Sequence, residues 1–218
     1  SKIPYNQGFW SNMYNNRKEY IKIKLEIDQI DDLLHPKNGY KINAIYQYSN
    51  DDFQTWDNNC MNNGIPCNVY SDGDGYKYLY SEIDYYKTYN YNHTLRVFSQ
   101  YKSSSSSGNN GMPLYLMSTY GGSNQAVGYD EYILTAKDLS LIGVEYQYHF
   151  KNNITYRVIL NWAGKIDYEN GPINYGVGMR IKSFIGPLDF TWGRGHTNPF
   201  DKNSKEINVF YFNFGVAL

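Results

Sequence analysis

The chain has 218 residues, of which 41% are hydrophobic and 18% aromatic, with 25 tyrosines and a net charge of −1. That balance argues against a nucleic-acid-binding footprint. No run approaches the roughly 18 apolar residues of a membrane-crossing helix, so any span must be made of strands. A mean hydropathy of −0.64 fits apolar residues interleaved with polar ones rather than gathered in helical blocks. The length admits one all-β domain or two small ones. No leader is visible and the chain begins at Ser1 without Met, which reads as a mature or trimmed chain.

Residues 1–19 carry no period. Residues 20–28 then alternate, with Ile21, Ile23, Leu25 and Ile27 on one face. Pro36 and Asn38-Gly39 punctuate a turn over 31–39, and 40–48 forms the next strand with Ile42, Ala44, Tyr46 and Tyr48 outward. Residues 50–75 read as a long polar loop containing Cys60 and Cys67. Such a pair reads as a local disulfide in an oxidising compartment, or as two free thiols in a reducing one. A metal site would want more Cys or His nearby. Ser71-Asp72-Gly73-Asp74-Gly75 lacks the spaced ligands and closing Glu of a calcium loop and reads as an ordinary turn.

Residues 76–87 and 93–102 form a strand pair with a short turn near Tyr89-Asn90-Tyr91. The serine run 103–107 reads as flexible and opens a second long connection to about Asp138. Strands follow at 139–150 and 154–165 around Lys151-Asn152-Asn153, and at 175–183 and 187–194 around Phe184-Ile185-Gly186. The last strand, 207–218, sets Phe210, Phe212, Phe214, Val216 and Leu218 on one face. A strand facing lipid on one side and a polar lumen on the other needs only that pattern.

Two features set the class. Short turns alternate with long loops, as in outer-membrane barrels. Turning the apolar faces outward also sends Glu82, Asp84, Arg96, Glu145, Arg157, Arg180, Lys182 and Asp189 inward, with Gln147, His149 and Asn161. Four acids and four bases suit an ion-paired lumen and would be expensive in a sandwich core. The expectation is an all-β, transmembrane antiparallel barrel over 20–218, preceded by a periplasmic or luminal extension over 1–19. Eight strands count from Tyr40, so a ninth at 20–28 lies in the lumen, extends the sheet, or helps pair two copies.

At this point the C-terminal half resembles a known family. The segments Tyr175-Gly176-Val177-Gly178-Met179-Arg180, Ser183-Phe184-Ile185-Gly186-Pro187-Leu188 and Phe212-Asn213-Phe214-Gly215 are similar to the last strands of the outer membrane protein 85, or bacterial surface antigen, superfamily. The turn with Asp31, Pro36 and Gly39 also resembles one of that family, and Tyr120-Gly121-Gly122 to Gly128-Tyr129 resembles its inward-folded loop. The resemblance implies that Gly121, Gly122, Val127, Gly128 and Tyr129 fold into the lumen. It also exposes two departures: Val127 stands where the family loop has Arg, and Trp162 where a facing strand has the Asp it contacts. Glu145 is then expected to pair with Arg157 or Arg180. No segment corresponds to the family's periplasmic docking repeats, and the chain supplies about half of the family's barrel, which favours a homodimer.

The implied role is in outer-membrane assembly, transport or a lipid-linked process at the bacterial outer membrane. Its implied partners are outer-membrane lipid, a second copy and the barrel-assembly machinery that inserts it, with no nucleic acid. The alternatives are a surface-binding, adhesin-like barrel acting through its Cys-containing loop, or a soluble lectin-like sandwich. No enzyme is expected. Glu82 and Asp84 face Arg96 and read as structural, Ser118, Ser123 and His149 form no nucleophile motif, and no Gly-x-Ser-x-Gly elbow exists. His35, His93 and His196 read as solvated, and Ser183 and His196 as lying in opposite turns. No cofactor or metal is expected.

Overall fold

Period-two alternation shapes nearly every element of the computed structural model. It describes residues 20–32, 35–49, 53–62, 65–71, 76–106, 118–124, 126–129, 134–164, 173–184, 186–196 and 205–215, with 53–62 and 65–71 as backbone only. Among the described residues thirteen strands follow one another: β1 (Tyr20–Asp28), β2 (Gly39–Ser49), β3 (Phe53–Asn62), β4 (Ile65–Ser71), β5 (Tyr76–Asn90), β6 (His93–Ser106), β7 (Ser118–Tyr120), β8 (Leu134–Ala136), β9 (Asp138–Phe150), β10 (Ile154–Gly164), β11 (Ile173–Ser183), β12 (Gly186–His196) and β13 (Glu206–Phe214). Nine of them make one antiparallel sheet in the order β1-β2-β5-β6-β9-β10-β11-β12-β13. The sheet is not closed: among the described residues β1 pairs with β2 alone and β13 with β12 alone.

Of the three placements open to the ninth strand, extension of the sheet is the one found. Segment 20–28 joins the sheet along its whole length, because its apolar positions match the outward positions of β2: Ile27 faces Ile42, Leu25 faces Ala44 and Ile23 faces Tyr46. The segment expected as a loop over 50–75 holds a separate two-stranded ribbon, β3–β4, whose register shifts between Asp57 and Met61. The described part of the serine run is also strand rather than flexible chain. Its residues 103–106 pair with Leu79, Tyr78, Lys77 and Tyr76, so the long alternation of β5 supplies a template that serine alone does not. A short ribbon, β7–β8, occupies part of the second long connection.

Short connections gather at one end of the sheet: 29–38 between β1 and β2, Tyr91-Asn92, a 3-10 turn at Lys151–Asn153, and the turn at Phe184. Gly39 enters β2 at φ +119°, where an added Cβ would stand 2.1 Å from the Gln29 carbonyl oxygen; only glycine fits. Residues 1–19, Val216 and Leu218 lie outside the described residues, as do the side chains of Cys60 and Cys67 and their expected disulfide.

Polarity across the sheet is inverted relative to a water-soluble core. Outward-facing Phe210, Phe212 and Phe214 are 69%, 58% and 51% exposed, and Val144, Val158, Leu160 and Val177 are exposed beside them. Inward-facing Glu145 and Arg157 are 1% and 2% exposed. The buried apolar cluster lies on the concave side, where Tyr120, Ala126, Val127 and Tyr129 meet Phe98, Leu139, Leu141 and Tyr211.

Candidate functional site

The concave face is built by strand register. Arg96 of β6 stands opposite Glu145 of β9, and Arg180 of β11 opposite Asp189 of β12. Six charges of alternating sign consequently link into one chain across the sheet: Asp84, Arg96, Glu145, Arg157, Asp189 and Arg180. Arg96 donates to Asp84 at 2.6 Å and to Glu145 at 3.1 Å. Arg157 lies 3.7 Å from Glu145 and donates to Asp189 at 2.7 Å and to the Thr191 hydroxyl at 2.6 Å. Arg180 closes on the other Asp189 oxygen at 3.1 Å. Beside this chain, Glu82 holds Lys41 at 3.2 Å and accepts from Gln100 at 3.0 Å. The Arg96 guanidinium also covers the Phe98 ring at 4.3 Å.

One expectation about this network needs correction. Lys182 is exposed and makes no ion pair among the described residues, because inward parity at the end of β11 carries it to the rim instead of the interior. Its place as the fourth base is taken by Lys41, which the alternation of β2 already turns opposite to Ile42 and Ala44. Glu145 does pair with Arg157, one of its two expected partners, and it also pairs with Arg96, its direct cross-strand neighbour.

The loop running from Gly121 to Tyr129 lies against the concave face of β11–β13. The Tyr211 hydroxyl accepts from the Gly128 amide and donates to the Tyr129 carbonyl, both at 2.8 Å. The loop closes on itself where the Gly122 amide donates to the Tyr129 carbonyl at 2.9 Å. Gly128, at φ +91°, is pressed so close that an added Cβ would stand 2.6 Å from the Arg194 carbonyl carbon. A Val127 methyl occupies the space that side chains at Gly176 and Gly193 would fill. Trp162 is not its counterpart: it pairs with outward-facing Ile142 and Ile173, so its ring shares their side of the sheet. Where the family resemblance implies an ion pair, this chain sets a methyl against two glycines. Tyr211, the inward tyrosine between Phe210 and Phe212, was not singled out from sequence; its signal was a lone hydroxyl facing away from a phenylalanine stripe.

Loop, wall and the β1–β2 turn border a half-open cavity of about 530 Å³. Lys41, Glu82, Asp84, Arg96, Glu145 and Arg180 line it, with Asn124 from the loop, Ile30 and Pro36 from the turn, and Asn213 from β13. No family model and no curated protein matches the chain. What the cavity can do must be read from its groups. The eight network charges beside it sum to zero and each of the four carboxylates is engaged by a cation or amide, an arrangement that braces a wall. Among the described residues no three His, Cys, Asp or Glu side chains converge as metal ligands. Ser183 donates to the Gly186 carbonyl at 2.5 Å, and His196 stands at the opposite end of the β11–β12 pair.

His35 departs from its expected solvated state. It is 6% exposed, with Nδ1 at 2.7 Å from the Thr155 hydroxyl. The turn folds inward because the Asp31 carboxylate gathers the amides of Asp32, Lys37 and Asn38 at 2.9–3.1 Å, and Asp32 caps the His35 amide at 3.2 Å. His93 lies in β6 beside Tyr146 and Tyr148, and His196 is half-buried at the end of β12.

Proposed function

We propose that this chain is a bacterial outer-membrane β-barrel protein, a short relative of the outer membrane protein 85 superfamily without docking repeats. Its role is in membrane assembly, transport or a lipid-linked process. One observation carries the reading: Arg157 and Glu145 are enclosed on the concave side while Phe210, Phe212 and Phe214 face outward uncovered. In water that inversion exposes large apolar area and buries charge, two costs at once. In a bilayer the outward stripe is the favourable surface and the lumen keeps its ion pairs.

Supporting details run along the sheet. Strands of 9 to 15 residues meet the roughly 9–11 a tilted span requires. Tyr85, Tyr89, Tyr91, Phe150, Tyr156 and Phe184 are exposed toward the short-turn end, a disposition suited to an interfacial aromatic girdle. Lipid cannot satisfy the free backbone groups of β1 and β13. A second copy whose edges meet these two would satisfy them, which supports a homodimer inserted by the barrel-assembly machinery.

The test is migration on a gel with and without boiling, followed by the mass of the detergent-solubilised particle. A faster-running unboiled band and a two-chain mass are expected. Solubility without detergent and no heat shift would remove the membrane reading; a one-chain mass would remove the dimer alone. A second reading, binding at the cell surface, is favoured by the β3–β4 ribbon standing apart from the main sheet. Deleting 51–75 would then abolish adhesion while leaving the heat shift intact.

A further inference from the structure

The turn between β1 and β2 is tied to the wall by an unbroken run of hydrogen bonds whose direction can be deduced. Thr88 Oγ1 donates to the Lys37 carbonyl at 2.8 Å, an acceptor only, so its one proton is committed. At its 2.9 Å contact with Thr94 Oγ1, Thr94 must therefore donate. Thr94 in turn accepts from Nε2–H of His149 at 3.0 Å. A neutral His149 protonated on Nε2 has a bare Nδ1, which accepts from the Thr155 hydroxyl at 3.0 Å. Thr155, having donated, accepts from Nδ1–H of His35 at 2.7 Å. The run assigns His35 the Nδ1–H tautomer and leaves its Nε2 lone pair bare. That atom is buried and has no hydrogen-bond partner among the described residues.

We propose that the β1–β2 turn is a proton-released latch, closed over the short-turn side of the cavity while His35 is neutral and let go when its Nε2 takes a proton. The turn supplies part of the cavity wall through Ile30 and Pro36, so its release opens the cavity at that end. Protonated Nε2–H would find no acceptor among the described residues of the closed turn. The charges facing it are mostly hostile: Lys37 in the turn itself and Arg180 and Lys182 on β11, opposed by Asp32; the Asp31 carboxylate is engaged by the turn amides. The His149 ring of β9 stands edge-on at 6.5 Å, with His93 of β6 beyond it, and Thr155 of β10 offers only its acceptor lone pair. Burial first, and Arg180 second, hold His35 below its ordinary value of 6.5. A proton on His149 acts in the same sense, because it removes the acceptor that Thr155 uses and cuts the run.

Nitrogen-15 NMR of the full chain, from about pH 8 to about pH 4.5, tests this on the native protein. Imidazole spectra report the tautomer, and relaxation of the Asp31, Lys37 and Asn38 amides reports whether the turn is held. At high pH, His35 should carry its proton on Nδ1, the less common tautomer, and the three amides should be ordered. Their order should be lost in step with the protonation of His35. Thr155→Val should loosen the turn already at high pH, and His93→Phe should leave the transition in place. A His35 proton on Nε2 at high pH, or turn amides that stay ordered after His35 has titrated, would overturn the latch.

Discussion

Two segments fold into the concave side from opposite ends, and they are held in different ways. The loop with Val127 and Gly128 is fixed by shape: backbone lies on backbone at Gly193 and Gly195, and a methyl fills a pair of glycine positions. The β1–β2 turn is fixed by protons: a carboxylate gathers its amides, and a His–Thr run binds it to β9 and β10. Contacts of the first kind do not change between pH 8 and 5, whereas those of the second kind do. One end of the cavity is thus built as a fixed stopper and the other as a conditional one.

The largest effect is expected where the wall between the two segments is held together. Arg157 joins Glu145 to Asp189 at the middle of the wall. Arg157→Met leaves two buried carboxylates short of a partner, a loss of about 3–5 kcal/mol for a broken buried pair. Denaturant unfolding of the purified protein should show it, and restoring neutrality with Glu145→Gln should recover part of the loss. A smaller effect is expected at the fixed stopper. Gly128→Ala places a Cβ at φ +91° against the Arg194 backbone, costing about 3 kcal/mol in strain and overlap. Protease cleavage within 121–129 should rise equally at pH 8 and pH 5, and the β1–β2 turn should be untouched.

Tyr211→Phe ranks below these. It removes one hydroxyl that serves the Gly128 amide and the Tyr129 carbonyl, leaving a buried N–H unsatisfied at about 1–3 kcal/mol. Loop cleavage should again rise without pH dependence. If it rises only at low pH, the division between the two ends is wrong.

Much of this contrast was hidden from the sequence for physical reasons. Alternation tells which face a residue takes, so the opposition of Val144 to Glu145 or Leu160 to Asn161 could be read directly. It does not tell depth: Lys182 and Lys41 have equal claims to the interior by parity, and only their positions along the strands separate rim from wall. Nor does it give register, so Trp162 could be set opposite Val127 on paper although the fold turns it outward. The all-β antiparallel class was legible. The ribbon at 53–71 was not, because Asn, Asp and Gly punctuate its sequence as they would a loop. His35 was recognisable as a turn residue, but the inward fold depends on Thr155, 120 positions away.

The mildest perturbation is also the sharpest test of the conditional end, since it changes no residue. In the closed turn His35 is held below 6.5, whereas in a released turn it returns to its ordinary value. Above that value both forms are neutral and the turn has its full stability. As pH falls below 6.5, the released form binds a proton that the closed form refuses, so closure weakens. The weakening ends once pH has passed the depressed value and both forms are charged. One histidine contributes at most about 1.4 kcal/mol per pH unit within that window. Thermal unfolding across the window should therefore show stability rising with pH, and His35→Phe should flatten the part of the slope that belongs to the turn. Gly128→Ala should lower the whole curve without changing its slope, because no proton is bound or lost where the loop meets β12.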